Sequence, residues 1–357
     1  MEKNRKLGLA LIAAGCALAV FCGIGLYYVN LKETTPAWAE ETPPTMEAPA
    51  PAPTPAPTPE ENRPPVLTLI GDDPLFYPAQ PGGYEDPGCT AFDDRDGDIT
   101  ARLVCNADVN TFHAGEGSVV YSVTDSEGLT ATVARRVIVT AADRPETVMP
   151  DAGTVYLTFD DGPSANTERL LDILDAYGAK ATFFVTNCHE EYTYCIGEIA
   201  RRGHTVGIHS ASHDYNGIYR SEEAYFADLC RMQEIIFEQT GEYVRLVRFP
   251  GGSSNTVSRY NPGIMTRLTS DLNDMGYAYF DWNVSAADTA SNATRYTVTE
   301  NFKESVPKHD YSVVLQHDTN AFSVDAVEDI LFWGSRNGYT FRALDLTSPA
   351  VHHSVAN

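Results

Sequence analysis

Short bursts of alternating apolar and polar positions fill residues 65–142. Val66-Leu67-Thr68-Leu69-Ile70 stops at Gly71-Asp72-Asp73. Ser118-Val119-Val120-Tyr121-Ser122-Val123 turns at Asp125-Ser126-Glu127-Gly128, and residues 130–139 alternate again. A period of two lays one face of each strand inward. Several such strands separated by turn residues, with no helical stretch, predict a β-sandwich over 65–142.

From about Arg144 the pattern becomes strand, then helix, repeatedly. Strands are expected at 154–159, 181–185, 205–208, 246–248, 277–282, 311–315 and 339–341. Ser164 is placed to cap a helix through Tyr177, with Leu170, Leu171, Ile173 and Leu174 on one face and Gly178 at its end. A short helix is expected at 196–202 and a long one from Glu222 to Thr240, ending at Gly241. The alternation predicts a parallel α/β sheet over 143–357, open or closed as a barrel, with function at the carboxyl ends of its strands.

The N-terminal pattern is different. Lys3, Arg5 and Lys6 precede an uncharged apolar run over 7–29. It is long enough for the roughly 20 residues that cross a bilayer, and its basic flank keeps the N-terminus inside. Residues 1–33 are therefore expected to be a cytoplasmic start and a transmembrane anchor. The alternative is a secreted chain cleaved near Ala37-Trp38-Ala39. Both readings place the remainder outside the cytoplasm. Residues 34–64 are rich in Pro, Ala, Thr and Glu and predict an extended spacer.

Lys and Arg number 25 against 49 Asp and Glu, a formal charge of −24. Such a chain is repelled by phosphate backbones, so nucleic acid is not an expected partner. Seven cysteines do not make a disulfide scaffold. Two pairings are open, Cys89 with Cys105 and Cys188 with Cys195, since thiols outside the cytoplasm oxidise. Asp93-Asp94-Arg95-Asp96-Gly97-Asp98 invites a calcium reading, but the loop position that needs a carboxylate falls on Cys105. A solvated Asp-Gly turn is the better reading.

Four polar clusters fall at predicted strand ends: Asp160-Asp161-Gly162-Pro163, His209-Ser210-Ala211-Ser212-His213, Arg248-Phe249-Pro250-Gly251-Gly252-Ser253 and Leu315-Gln316-His317-Asp318. Singly, each also reads as a turn or a pair of solvated histidines. Together, at four strand ends of one sheet, they point to a site.

On these motifs, with Thr158-Phe159 leading the first, residues 155–346 resemble the polysaccharide deacetylases of carbohydrate esterase family 4. Residues 65–142 resemble bacterial immunoglobulin-like surface modules, through Pro64-Pro65-Val66-Leu67-Thr68-Leu69, Tyr84-Glu85-Asp86-Pro87-Gly88, Asp96-Gly97-Asp98-Ile99-Thr100 and Tyr121-Ser122-Val123-Thr124-Asp125. The first resemblance implies a distorted (β/α) barrel, a divalent metal, usually Zn2+, and removal of acetyl groups from N-acetylated sugars. Asp161, His209 and His213 are then the metal ligands, a set that leaves a position open for water. Asp160 is the base, its ionised form favoured by Arg248. The Gly251 N–H stabilises the oxyanion, His317 is the acid, and Leu315, on the same side of its strand, contacts the acetyl methyl.

The chain departs from the family in two places. Gly251 stands where many members have an aromatic. The fourth motif reads Trp282-Asn283-Val284-Ser285-Ala286-Ala287-Asp288-Thr289, so Asp288 matches the carboxylate that orients His317 while Thr289 replaces a Trp. Asp281 is a second candidate partner for His317. The expected activity is deacetylation of peptidoglycan N-acetylglucosamine outside the membrane. An O-acetyl esterase acting on another glycan such as xylan, or a non-catalytic surface binding protein, are the alternatives.

Overall fold

The computed structural model describes residues 61–355 and 357. The expected anchor, and the spacer up to residue 60, lie outside the described residues. No helix among the described residues is long and apolar enough to cross a membrane.

The first part is a sandwich of two sheets. Its strands are β1 (Val66–Leu69), β2 (Leu75–Pro78), β3 (Cys89–Asp93), β4 (Gly97–Asp98), β5 (Val104–Asp108), β6 (Gly115–Thr124) and β7 (Thr130–Thr140). One sheet runs β1-β3-β4 and the other β2-β7-β6-β5. Alternation places Val119, Tyr121, Val123, Val137 and Val139 in the core. The fully buried Arg135 is neutralised by Asp86 at 2.9 Å. That carboxylate also accepts from Tyr84 Oη at 2.5 Å, Tyr121 Oη at 2.6 Å and the Gly88 N–H at 2.8 Å. The Tyr84–Gly88 motif is thus a satisfied buried network with a structural role. Asp93 Oδ1 accepts from the amides of Arg95 and Asp96, so the acidic run closes on itself as a turn. Cys89 is buried in one sheet and Cys105 is exposed in the other; these two, Cys188 and Cys195 are free thiols.

The second part, among the described residues, is an eight-stranded parallel sheet, its end strands not paired with each other, packed with helices. The strands are β8 (Thr154–Asp160), β9 (Ala181–Thr186), β10 (Thr205–Ser210), β11 (Leu246–Val247), β12 (Ala278–Tyr279), β13 (Val284–Ser285), β14 (Tyr311–His317) and β15 (Thr340–Phe341). Their order is β12-β11-β10-β9-β8-β14-β13, with β15 on the start of β8. β8 and β9 are buried at every position, as strands covered on both faces must be. The helices are α1 (Thr167–Ala176), α2 (Cys195–Arg201), α3 (Tyr215–Ile218), α4 (Glu222–Thr240), α5 (Ile264–Asp274), α6 (Arg295–Ser305) and α7 (Ala321–Arg336).

The long helix α4 matches the sequence expectation at both ends. Ser221 accepts from the Ala224 N–H, and Gly241 closes it in the left-handed conformation. The first helix does not. It starts after Asn166 with no side-chain cap from that residue; Ser164 Oγ accepts from the Asn166 N–H at 3.1 Å, just ahead of the helix, while donating to the Asp318 carbonyl at 2.8 Å. The one hydroxyl serves the local turn and a tertiary contact together.

The sandwich packs on α4 and α5. Phe112 stacks on Phe226 with ring centroids 4.6 Å apart. The Ala142 N–H donates to the Asp274 carbonyl at 2.7 Å, and Cys230 Sγ lies 3.0 Å from the Pro81 carbonyl. The buried apolar cluster is continuous across this junction.

Candidate active site

The expected residues converge at the carboxyl ends of β8, β10, β14 and the segment after β11. Asp161 Oδ1 lies 3.3 Å from both His209 Nε2 and His213 Nε2. The three ligand atoms fall within 4.8 Å of one another. His209 Nδ1 is 2.7 Å from the Arg248 carbonyl, so Nδ1 carries the proton and the Nε2 lone pair faces the cluster. Asp161 Oδ1 is buried with no hydrogen-bond partner. A carboxylate oxygen facing imidazole nitrogens without a hydrogen bond is what a cation needs, so the residues fit a divalent metal. Burial opposes ionisation of Asp161, but His209, His213 and His317 beside it hold its carboxyl well below the usual range.

The backbone is strained where these groups are presented. The non-glycine residues with positive φ among the described residues are Asp161 at 70°, His213 at 50° and Ala287 at 55°. Two are metal-ligand candidates and the third precedes Asp288. Such conformations persist only when the surroundings impose them. Asp228 on α4 imposes one: it accepts from Ser210 Oγ at 2.6 Å, the Ala211 N–H at 2.8 Å and the Ser212 N–H at 2.9 Å. Sequence reading missed Asp228, because nothing on the polar pattern of a long helix marks one carboxylate as a partner of a distant loop.

Asp160 is buried and pairs with the fully buried Arg248 at 2.8 Å. Thr158 Oγ1 at 2.5 Å, the Phe280 carbonyl at 2.9 Å and the Asp281 carbonyl at 3.1 Å fix the rest of the guanidinium, which lies over the Phe184 ring. Donor and charge are both satisfied, as a buried ion pair requires.

His317 Nδ1 is 3.0 Å from Asp288 Oδ1, and its own N–H donates to Asp288 Oδ2 at 2.7 Å. Ser323 Oγ adds a third donor at 2.7 Å. Burial works against the charged ring, but the Asp288 hydrogen bond and the nearby Asp160 carboxylate outweigh it and push His317 up to about 9. His317 Nε2 lies 3.8 Å from Asp161 Oδ2, on the metal side. Leu315, partly exposed, lies two residues back on β14.

Asp281 is not the partner of His317. It is fully buried and holds the glycine loop: Oδ1 accepts from the Ser253 N–H at 2.8 Å, and Oδ2 accepts from Ser253 Oγ and, at 2.8 Å, from the His353 N–H. In that loop Gly251 and Gly252 have φ of 77° and 78°. The Gly251 N–H makes no hydrogen bond among the described residues. Trp282 covers Gly252, where a Cβ would come within 3.0 Å of the indole. Thr289 is exposed and supplies no wall. Asp318, next to His317, is buried behind the Asp161–Gly162 turn, bonded to Thr167 Oγ1; burial pushes its carboxyl up to about 7.

Two acid–base pairs beside a cluster fit for a cation, at the carboxyl ends of a parallel sheet, are what a metal-dependent hydrolase would need. The comparisons agree with that class. The sequence model of the polysaccharide deacetylase family matches residues 147–265, and that of a bacterial surface protein Ig-like domain matches residues 68–139. A peptidoglycan-N-acetylglucosamine deacetylase of Bacillus cereus is 32% identical over 53% of this chain and 68% of its own length. YheN of Bacillus subtilis, assigned to the polysaccharide deacetylases, is 31% identical over 56% of this chain and 70% of its own. The crystal structure of the catalytic domain of a peptidoglycan N-acetylglucosamine deacetylase from Eubacterium rectale shares 54% identity, covers 60% of this chain and 98% of that one, and superposes with a TM-score of 0.59. The chain belongs to the polysaccharide deacetylase family, and an Ig-like surface module precedes its catalytic barrel.

Proposed function

We propose that the protein removes acetyl groups from the N-acetylglucosamine residues of peptidoglycan, outside the membrane, with a Zn2+ ion held by Asp161, His209 and His213. The observation that carries the reading is the arrangement of an Asp160–Arg248 pair and an Asp288–His317 pair around that cluster. The named activities of the relatives from Bacillus cereus and Eubacterium rectale support the choice of glycan. The uncharged run over residues 7–29 supports an anchored, outward-facing enzyme.

When bound, the metal supplies Lewis acidity toward the acetyl carbonyl and the attacking water. Asp160 takes the proton of that water, and Arg248 keeps the carboxylate aimed. The Gly251 N–H is free to donate to the oxygen that gains charge as the carbonyl becomes tetrahedral. His317, charged at neutral pH, gives its proton to the sugar nitrogen as the carbon–nitrogen bond breaks. Asp288 fixes which ring nitrogen faces that bond. Water is consumed, and acetate and the amino sugar leave.

The test is acetate release by the purified protein from N-acetylated peptidoglycan fragments, chitin oligomers and O-acetylated xylan. Release from the first supports the proposal. Release from acetylated xylan alone makes the protein an O-acetyl esterase, and release from none makes it a binding protein.

A further inference from the structure

One aromatic ring at the mouth of the site has no part in the chemistry above. Tyr215 opens α3, directly after the His209–His213 loop, and its ring meets the His213 imidazole edge-on at 5.1 Å. It is only partly buried. It also occupies the space above the glycine loop: a Cβ on Gly251 would lie 3.6 Å from Tyr215 Cε1 and 3.7 Å from its hydroxyl oxygen. The ring therefore borders both a metal-ligand candidate and the Gly251 position.

The ring is held in place from several sides. Tyr260 Oη donates to the Tyr215 carbonyl at 2.8 Å and to the Asn216 carbonyl at 3.1 Å. Asp214 caps the short helix through the Asn216 N–H. Tyr219 lies parallel at 6.5 Å and is itself tied to the glycine loop, its hydroxyl donating to the Pro250 carbonyl at 2.8 Å. Asn261 Nδ2 donates to the carbonyls of Tyr219 and Arg220. A preorganised aromatic face loses little entropy when a ligand stacks on it, and the axial C–H face of a sugar is the apolar surface it suits.

We propose that Tyr215 is the wall on which the acetylated sugar stacks. The inference rests on the deacetylase reading. It assigns a substrate-binding residue that lies outside the strand-end motifs.

The test measures binding and turnover separately in Tyr215→Ala and Tyr215→Phe. For Tyr215→Ala we expect the dissociation constant for an N-acetylglucosamine tetramer, and KM with it, to rise about 10-fold, as stacking contacts of this size imply. Bound metal is expected to stay equal to that of the unsubstituted protein. Tyr215→Phe keeps the face and is expected within about 3-fold of the original in both, because the hydroxyl is not what binds. Unchanged tetramer binding in Tyr215→Ala overturns the proposal. So does equal weakening in Tyr215→Phe, or loss of metal from both variants, which would make the ring a support for His213. If the original protein binds the tetramer in a Tyr215-dependent way and releases no acetate, the deacetylase reading fails and the wall stands. If acetate is released and Tyr215→Ala binds normally, the wall alone fails.

Discussion

Replacing Asp288 by Asn changes one atom at the centre of the proposed acid. The carboxylate accepts from His317 Nδ1, the His317 N–H and Ser323 Oγ. An amide offers one oxygen, so its NH2 must face at least one of these donors. The larger effect is on charge. Burial alone would push His317 below its ordinary value, and the Asp288 hydrogen bond is the first of the interactions that reverse this and bring it to about 9. Without the carboxylate the ring loses the first of these supports and moves back toward its ordinary value of about 6.5, with Asp160 and Asp161 still pulling it up. In the limit of a full return, the protonated fraction at pH 8 drops from roughly 90% to roughly 3%, so charge alone lowers kcat by up to about 30-fold. At pH 6 the same change costs less than about 2-fold.

Stability follows the same linkage. The raised folded value contributes stability that is fully present below about 6.5 and is lost as pH rises through about 9, on the order of 3 kcal/mol in all. Asp288→Asn should therefore unfold more easily than the original at pH 6 and converge on it near pH 10. The assays are kcat/KM from pH 5 to 10 and chemical denaturation at both extremes. A variant whose alkaline limb still lies near 9, with a rate loss equal at every pH, would refute the argument that Asp288 sets the charge of His317.

Other perturbations separate the remaining roles. Prolonged chelation should abolish acetate release, and one equivalent of Zn2+ should restore it; activity in metal-free protein would contradict the cluster assignment. Asp160→Asn should lower kcat by about 10²–10⁴ and leave metal content unchanged, since it removes the base and spares the ligands. In Gly162→Ala the new methyl overlaps the Asp318 carboxylate; metal affinity should weaken as the Asp161 turn shifts, which metal-competition titration reads. Phe112→Ala removes the ring stacked on Phe226 and should cost about 2 kcal/mol in unfolding free energy while KM stays constant.

What the sequence disclosed depended on the distance over which a residue acts. The strands and the long helix were legible because their signals are local: Ser221 and Gly241 bracket α4, and β8 is apolar or β-branched almost throughout. The candidate metal ligands and the two proposed acid–base residues were legible because each lies in a short motif at a strand end. Residues that act through space were not. Thr158 and Ser323 are ordinary hydroxyls until the fold sets one against Arg248 and the other against Asp288. Ser164 carried a local capping signal, and its hydroxyl does accept the Asn166 N–H, but its bond to the Asp318 carbonyl could not be read from the chain.

Asp281 and Tyr215 show how far the same limit reaches. Asp281 stands next to Trp282 in the fourth motif, so proximity in sequence made it a candidate partner of His317. In space the strand order β12-β11 brings it beside the glycine loop, and its carboxylate fixes Ser253 and the segment at His353. Gly251 read as the loss of an aromatic side chain, and at that position it is one. An aromatic ring nonetheless borders that position, from a residue thirty-six positions earlier by number, on a helix too short for any periodic signal. A glycine in a site motif thus states only that its own side chain is absent. Whether the surface there is open depends on which neighbour closes over it, and here three loops must fold together before Tyr215 can do so: the loop after β10, the loop after β11 and the turn carrying Tyr260.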